Sequence, residues 1–507
     1  MAATASKGVP RTGDQRIDGM QSGWHWNVLS LTYSFPKLGQ YYEYGPERYS
    51  FSAFNSAQAK VATLALREIS SFTDAKYSKV TESRNVHGDI RLAESRAPDT
   101  AYAEYPGLRS GGDAWFNPYD YNSPKLGDYA CHSIFHEIGH TMGLKHPHEA
   151  DYRGRVPRSQ DSLEFSLMSY HSYVGGPTSY LTYAVDGAPQ SYMMLDIAAL
   201  QQLYGADFRH RSGDTVYKFN PKTGVMTVNG ASTGDPAGDT IFRTIWDGGG
   251  EDTLDLRSYS TNMSIDLAPG RWSSFAKSQL ADLGNSHLAR GNLFNALLYK
   301  NDERSLIENV RGGKGKDSIR GNSADNHLDG NGAGDSLFGL EGNDVLRGGA
   351  GNDRIVGGNG DDRLLGGTER DELLGGSGND YLHGGTGSDT LEGGGDDDQL
   401  FGSDGNDTLF GDFRASEGAG NDYLNGGHGA DRLIGGGGDD ELVGGPGNDT
   451  INGGSGDFDT AIYDAPVANF DVVTTLDTTT VTDFTTGEVD TLTGVEYLQF
   501  SDGLVPL

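Results

Sequence analysis

From Asp317 to Asp407 a carboxylate or carboxamide returns every nine residues without a slip, at Asp317, Asn326, Asp335, Asp344, Asp353, Asp362, Asp371, Asp380, Asp389, Asp398 and Asp407. After an interruption at 411–420 the beat resumes at Asp422, Asp431, Asp440 and Asp449. Two residues beyond each of these fifteen positions stands Ile or Leu, from Ile319 and Leu328 to Leu442 and Ile451, and glycines crowd the positions before. This is the GGxGxDxUx nonapeptide of a parallel β-roll. Glycines permit the tight turn, the aspartate presents an oxygen inward, and the Ile or Leu is buried in a short strand. A hard cation such as calcium takes six to eight oxygens, which aspartates and loop carbonyls of adjacent coils can share. Without the ion the stacked carboxylates repel one another. A disordered acidic linker imposes no such phase.

The bulk numbers agree. Glycine, at 76 of 507 residues, is about twice its usual ~7%. The net charge of −33 disfavours nucleic acid and anionic membranes, whose phosphates it would repel, and suits cations. A lone cysteine, Cys131, leaves no intramolecular disulfide, which is unremarkable in a cytosolic protein, whereas a secreted one needs another stabiliser, for which calcium is the obvious substitute. The stretch MAATASKGVPRTGDQ lacks the apolar core of a secretory signal, and no run of about 18 apolar residues could span a membrane.

A second motif carries chemistry. The run HEIGHTMGLKH supplies His136, Glu137, His140, Gly143 and His146. Residues four apart share a helix face, so His136 and His140 can address one metal ion with Glu137 beside it. Gly143 can adopt the left-handed conformation that ends the helix and brings His146 back as a third ligand. Three neutral imidazoles leave the fourth position of zinc open to water, which marks a catalytic site rather than a structural one. Before this run, residues 28–36 and the segments GDIRLAES and GGDAWFN read as strands and residues 56–71 as a helix, which fits a mixed α/β lobe.

Downstream, SLMSY carries Met168 and Tyr170, Pro147 follows the third histidine, and DIAALQQLYG reads as a helix with Ile197, Leu200 and Tyr204 on one stripe. With these residues the chain resembles the serralysins, metzincin zinc peptidases with a C-terminal RTX roll. The resemblance implies an α+β protease domain followed by an all-β parallel β-roll. It implies peptide hydrolysis in which zinc is held by His136, His140 and His146 and Glu137 acts as general base. Met168 would underlie the metal as the Met-turn, and Tyr170 would be a fifth zinc ligand or an oxyanion donor. With that trio complete, His132 and His148 are read as non-ligands. The strand of GGDAWFN, with Ala114 and Trp115, would be the sheet edge beside the cleft that binds substrate.

The resemblance extends to HRSGDTVYKFN and WDGGGEDTLDL, where Arg211, Gly213 and Thr215 with Asp247, Gly249 and Asp252 would hold calcium. The implied boundaries are a leader or propeptide remnant at 1–16, a protease domain at 17–209, a connecting β region at 210–310, the roll at 311–460 and a cap with secretion signal at 461–507. Implied partners are protein or peptide substrates, a type I exporter and a proteinaceous inhibitor, for an extracellular monomer. The C-terminal SDGLVPL, with Asp502 before Leu504, Val505, Pro506 and Leu507, approximates the export signal. The alternative is a calcium-binding protein of the cell surface or S-layer whose metal site is secondary or silent.

Overall fold

The computed structural model describes residues 4–42, 44–107, 110–412 and 419–507. The chain forms two compact units, Met1–Asp252 with Pro269–Ile307, and Thr253–Ala268 with Glu308–Leu507.

The first unit is built on a twisted sheet of β1 (Ser30–Ser34), β2 (Lys76–Lys79), β3 (Ile90–Ser95), β4 (Ala101–Ala103) and β5 (Asp113–Phe116) in the order β2-β1-β3-β5-β4. All five are parallel neighbours except β4, which runs antiparallel to β5. Helix α1 (Ser56–Phe72) starts at a reciprocal cap: Asn55 accepts from the N–H groups of Ala57 and Gln58, and Gln58 reaches back to Asn55. Its buried stripe of Ala62, Ala65, Leu66 and Ile69 shares one core with Ile134 and Ile138 of α2 (Tyr129–Thr141) and Leu195 and Ala199 of α3 (Met194–Tyr204). The N-terminal strand Ala5–Lys7 pairs antiparallel with Trp24–Trp26.

One expectation is corrected. The strand carrying Ala114 and Trp115, β5, is flanked on both sides, by β3 and by β4, so it has no free backbone edge. Both residues are buried, and Trp115 fills a small cluster with Tyr42 and Ala93. The edge is β4, whose sequence AYA is too short to announce a strand.

In the second unit, successive strands alternate between two parallel sheets, and pairing within each sheet spans 18 residues, as in Leu328 against Leu346 and Leu337 against Ile355. The Ile or Leu of every repeat is buried between the sheets. The stack begins before the repeats: Thr253–Asp255 pairs with Asn309–Arg311, and Ser264–Asp266 with Ser318–Arg320. The segment 210–310 is therefore divided between the two units. At the interruption the pairing distance lengthens, with Gln399 against Tyr423 and Thr408 against Arg432, and the sheets continue without a break. Within the interruption, residues 413–418 lie outside the described residues. Antiparallel strands close the far end, Phe470–Thr474, Thr479–Asp483 and Val489–Thr493 on one sheet and Gly503–Pro506 on the other.

Candidate metal centres

Helix α2 is held at its start by Asp128, whose carboxylate accepts from the Cys131 N–H at 2.7 Å. Every residue from Ala130 to Thr141 is buried, so the histidines ride on a helix packed into the first unit. Gly143 reverses the chain at φ +97°; a Cβ there would also stand 2.3 Å from the Trp24 carbonyl oxygen.

The turn brings three imidazoles together. His146 Nε2 lies 3.1 Å from His136 Nε2 and 3.1 Å from His140 Nε2. The opposite nitrogens are committed: His136 Nδ1 faces the Leu167 carbonyl at 3.1 Å, His140 Nδ1 the Leu144 carbonyl at 2.8 Å, and His146 Nδ1 the Glu149 carboxylate at 2.8 Å. Carbonyl and carboxylate oxygens only accept, so each Nδ1 carries the proton and each Nε2 presents a lone pair. Three lone pairs converging at this distance suit a cation. Burial also pushes the His140 imidazole down to about 3, so the neutral, metal-binding form holds at neutral pH.

Glu137 stands next to this cluster with Oε2 buried and without a hydrogen-bond partner. Burial alone raises its carboxyl to about 8; a divalent charge nearby acts the opposite way and favours the carboxylate. The Tyr170 ring lies 4.3 Å from that of His146 and 5.8 Å from that of His136, and its phenol is pushed up to about 12 by burial. Met168 is fully buried beneath the helix. His132 donates or accepts at both nitrogens elsewhere, to the Tyr183 hydroxyl and the Leu167 carbonyl, and lies outside the converging trio. His148 likewise lies outside that trio, although it groups with His146 and Glu149.

Sequence reasoning missed the residue that organises this floor. Asp196, in the first turn of α3, accepts from the Ser166 hydroxyl at 2.6 Å and the Leu167 N–H at 2.8 Å, which fixes the carbonyl that orients His136. An acidic residue at a helix start reads as an ordinary cap, so nothing local distinguishes it. A cavity of about 920 Å³ opens over the cluster, bounded by His136, Glu137, Tyr170 and Tyr183 and, from the β4 side, Thr100 and Ala101.

The six residues proposed for calcium before the roll are brought together. The Thr215 N–H donates to Asp252 at 2.8 Å, the Thr215 hydroxyl to the Gly213 carbonyl at 3.0 Å, and the Gly249 N–H to Asp247 at 3.2 Å. Arg211 has a positive φ of 53°, and Asp247 and Asp252 are fully buried. Burial raises the Asp247 carboxyl, as a cation would reverse.

In the roll the aspartates form a ladder. Each backbone N–H donates to the carboxylate two repeats on, from Asp317 to Asp335 at 2.7 Å, through Asp398 to Asp422 at 2.9 Å across the interruption, to Asp431 to Asp449 at 2.9 Å. The ladder runs past the repeats to Asp459 and Asp490, off the nine-residue beat. From Asp335 to Asp449 the second oxygen of every ladder aspartate is buried with no hydrogen-bond partner among the described residues. That oxygen occupies the space a side chain would need: a Cβ on Gly339 would stand 2.0 Å from Asp344 Oδ2. Burial raises Asp335, Asp344, Asp407, Asp440 and Asp449 to about 7, Asp371, Asp380 and Asp422 to about 8 and Asp398 to about 9, with Asp353 and Asp362 near 6. A row of buried carboxylate oxygens without partners fits a row of hard cations. Asn326 differs, because its amide is internally bonded to Asn322 at 3.1 Å.

Comparison with known proteins gives the same picture. Segments 305–337, 329–364, 338–373, 356–391, 374–409, 418–442 and 434–457 match the family described as RTX calcium-binding nonapeptide repeat (4 copies). Among the relatives is serralysin of Proteus mirabilis, 35% identical over 338 residues, which are 60% of this chain and 63% of the relative. Serralysin B of Dickeya chrysanthemi is 36% identical over 273 residues, 51% of this chain and 50% of the relative. Metallopeptidase AprA of Pseudomonas marginalis is 31% identical over 280 residues, 53% of this chain and 54% of the relative. The chain thus spans between half and two thirds of the length of these relatives. These likenesses bear out the resemblance to a serralysin-type metalloprotease with an RTX roll, and the repeats are of a calcium-binding kind.

Proposed function

We propose that this chain is a secreted zinc endopeptidase whose calcium-folded roll serves stability and type I export. The observation that carries the reading is the convergence of three imidazole lone pairs, from His136, His140 and His146, with Glu137, whose Oε2 has no hydrogen-bond partner among the described residues, where His136 and Glu137 line an open cavity. Zinc bound there would supply Lewis acidity and lower the pKa of water toward neutrality.

The remaining work falls to the chain itself. Glu137 accepts a proton from the attacking water and returns it to the leaving amine. Its buried setting keeps the proton within the site. Tyr170 stays protonated, since its phenol is pushed up to about 12, and can donate to the oxyanion that forms on the peptide carbonyl. The free edge of β4 offers backbone groups to an extended peptide, which would add itself as a further strand. Asp196 accepts from the Leu167 N–H and so positions the residue whose carbonyl fixes the His136 tautomer. For the roll, calcium at the aspartate ladder and at the loops of Arg211, Gly213, Thr215, Asp247, Gly249 and Asp252 would neutralise buried carboxylates. A chain that stays open in calcium-poor cytosol and folds outside suits an exporter that threads it.

The test is hydrolysis of casein by the calcium-loaded chain, before and after removal of zinc. The expected result is loss of cleavage with zinc removed and recovery on adding one equivalent. Full zinc occupancy with no cleavage of any protein or peptide would refute the reading.

A further inference from the structure

A second cavity, of about 460 Å³, lies beside the histidine cluster and is lined by His148, Arg155, Arg158, Ser159, Asp161 and His171. It adjoins the large cavity, because Thr178 lines both. It also reaches the metal centre: the His148 ring lies 5.5 Å from that of His146 and 5.3 Å from that of Tyr170.

Its charge runs against the rest of the molecule. The chain has 72 acidic residues against 39 lysines and arginines, yet this pocket carries two guanidinium groups against one carboxylate. That carboxylate is already engaged, since Asp161 accepts from the Ser169 hydroxyl at 2.7 Å. The other nearby acid, Glu149, is committed to His146. Arg155 and Arg158 are exposed and make no ion pair among the described residues. His148 Nδ1 is buried with no hydrogen-bond partner among the described residues. The large cavity next door has the opposite character, with Asp120 and Asp128 and neither lysine nor arginine on its wall.

We propose that this pocket is a subsite for an acidic side chain, aspartate or glutamate, of the peptide being cleaved. Arg155 and Arg158 supply the charge and the forked donors that match a carboxylate, and the imidazoles of His148 and His171 add N–H donors. The inference rests on the peptidase reading and names a substrate class for that site. Substrates with an acid at one fixed distance from the scissile bond are then favoured, which composition alone would not suggest for so acidic a protein.

The experiment uses the full chain with zinc and calcium and a set of quenched fluorescent peptides in which a single Glu is moved through the positions around the cleaved bond, each paired with its Gln isostere. Wild type should cleave the Glu peptide about tenfold better in kcat/KM at one position, and the ratio should shrink as salt is raised. In Arg155→Gln/Arg158→Gln the ratio should fall to about one while the Gln peptide is cleaved as before. Both arginines are exposed, so the variant is expected to fold. Equal cleavage of Glu and Gln peptides at every position, or a preference that survives in the variant, overturns the proposal. Turnover of the Gln peptide reports the peptidase reading separately. Should neither peptide be cleaved, anisotropy of labelled Glu and Gln peptides on Glu137→Gln gives the same comparison by binding, and equal affinities overturn the subsite.

Discussion

The sulfur of Met168 lies where a side chain on Gly139 would have to be: a Cβ built there would stand 2.6 Å from it. The helix and the turn beneath it are thus in direct contact at a residue between two candidate ligands. Gly139→Ala should lower the melting temperature, at a cost of about 1–3 kcal/mol from overpacking, and reduce zinc retention on dialysis. Adding Met168→Ala to that variant should recover part of the zinc retention if the clash is the cause. A Gly139→Ala protein with unchanged melting and metal content would show that the turn yields freely.

Glu137→Gln keeps the shape of the side chain and removes its basicity. Zinc content should stay at one equivalent, while kcat/KM on a peptide falls by about 10²–10⁴-fold. Near-normal turnover with full zinc would dismiss Glu137 as the base.

Tyr170→Phe deletes one hydroxyl from a ring that stays packed against His146 and His148. A donor acting on the oxyanion is felt in kcat, so kcat should drop by about 10²–10³-fold with KM little changed. A change confined to KM would return the residue to substrate packing.

The roll should respond to pH in a direction that its buried aspartates dictate. Their carboxyls lie above the usual 3.8, at about 7 for Asp335 and Asp344 and about 8 for Asp371 and Asp380. A group whose folded pKa is raised contributes stability that is full below the unfolded value and is lost as pH rises through the folded one. The calcium-free roll should therefore weaken between pH 4 and pH 8, and calcium binding at neutral pH should release protons. In excess EGTA, β-structure by circular dichroism of the full chain should be greater at pH 5 than at pH 8, with calcium restoring it at pH 8. A calcium-free melting temperature that is flat across this range contradicts the assignment.

Much of the candidate site was legible because its geometry is local. Helical spacing places His136 and His140, one glycine turns the chain to His146, and a nine-residue beat places the ladder. What was not legible depends on contacts between distant segments. Ala114 and Trp115 read as a cleft edge, yet strand order puts β4 there, and strand order follows from packing rather than from the pattern of β5. Asp196 supports Leu167 across 29 residues, and Asp459 and Asp490 join the ladder through stacking of sheets, where no period could reveal them. The cationic pocket brings His148, Arg155, Arg158 and His171 together within the long connection between α2 and α3, and each alone reads as a solvated surface residue.

The strands beyond residue 466 cover the last coil of the roll on both sheets. A stack of identical parallel coils would otherwise end in two open rows of backbone donors and acceptors, left by Thr450–Ser455 and Thr460–Ile462, ready to template another chain. With the following strands in place, both rows are paired within the chain. A chain shortened to residue 466 would be a polymerisation seed, and its hazard would rise with the calcium that orders it.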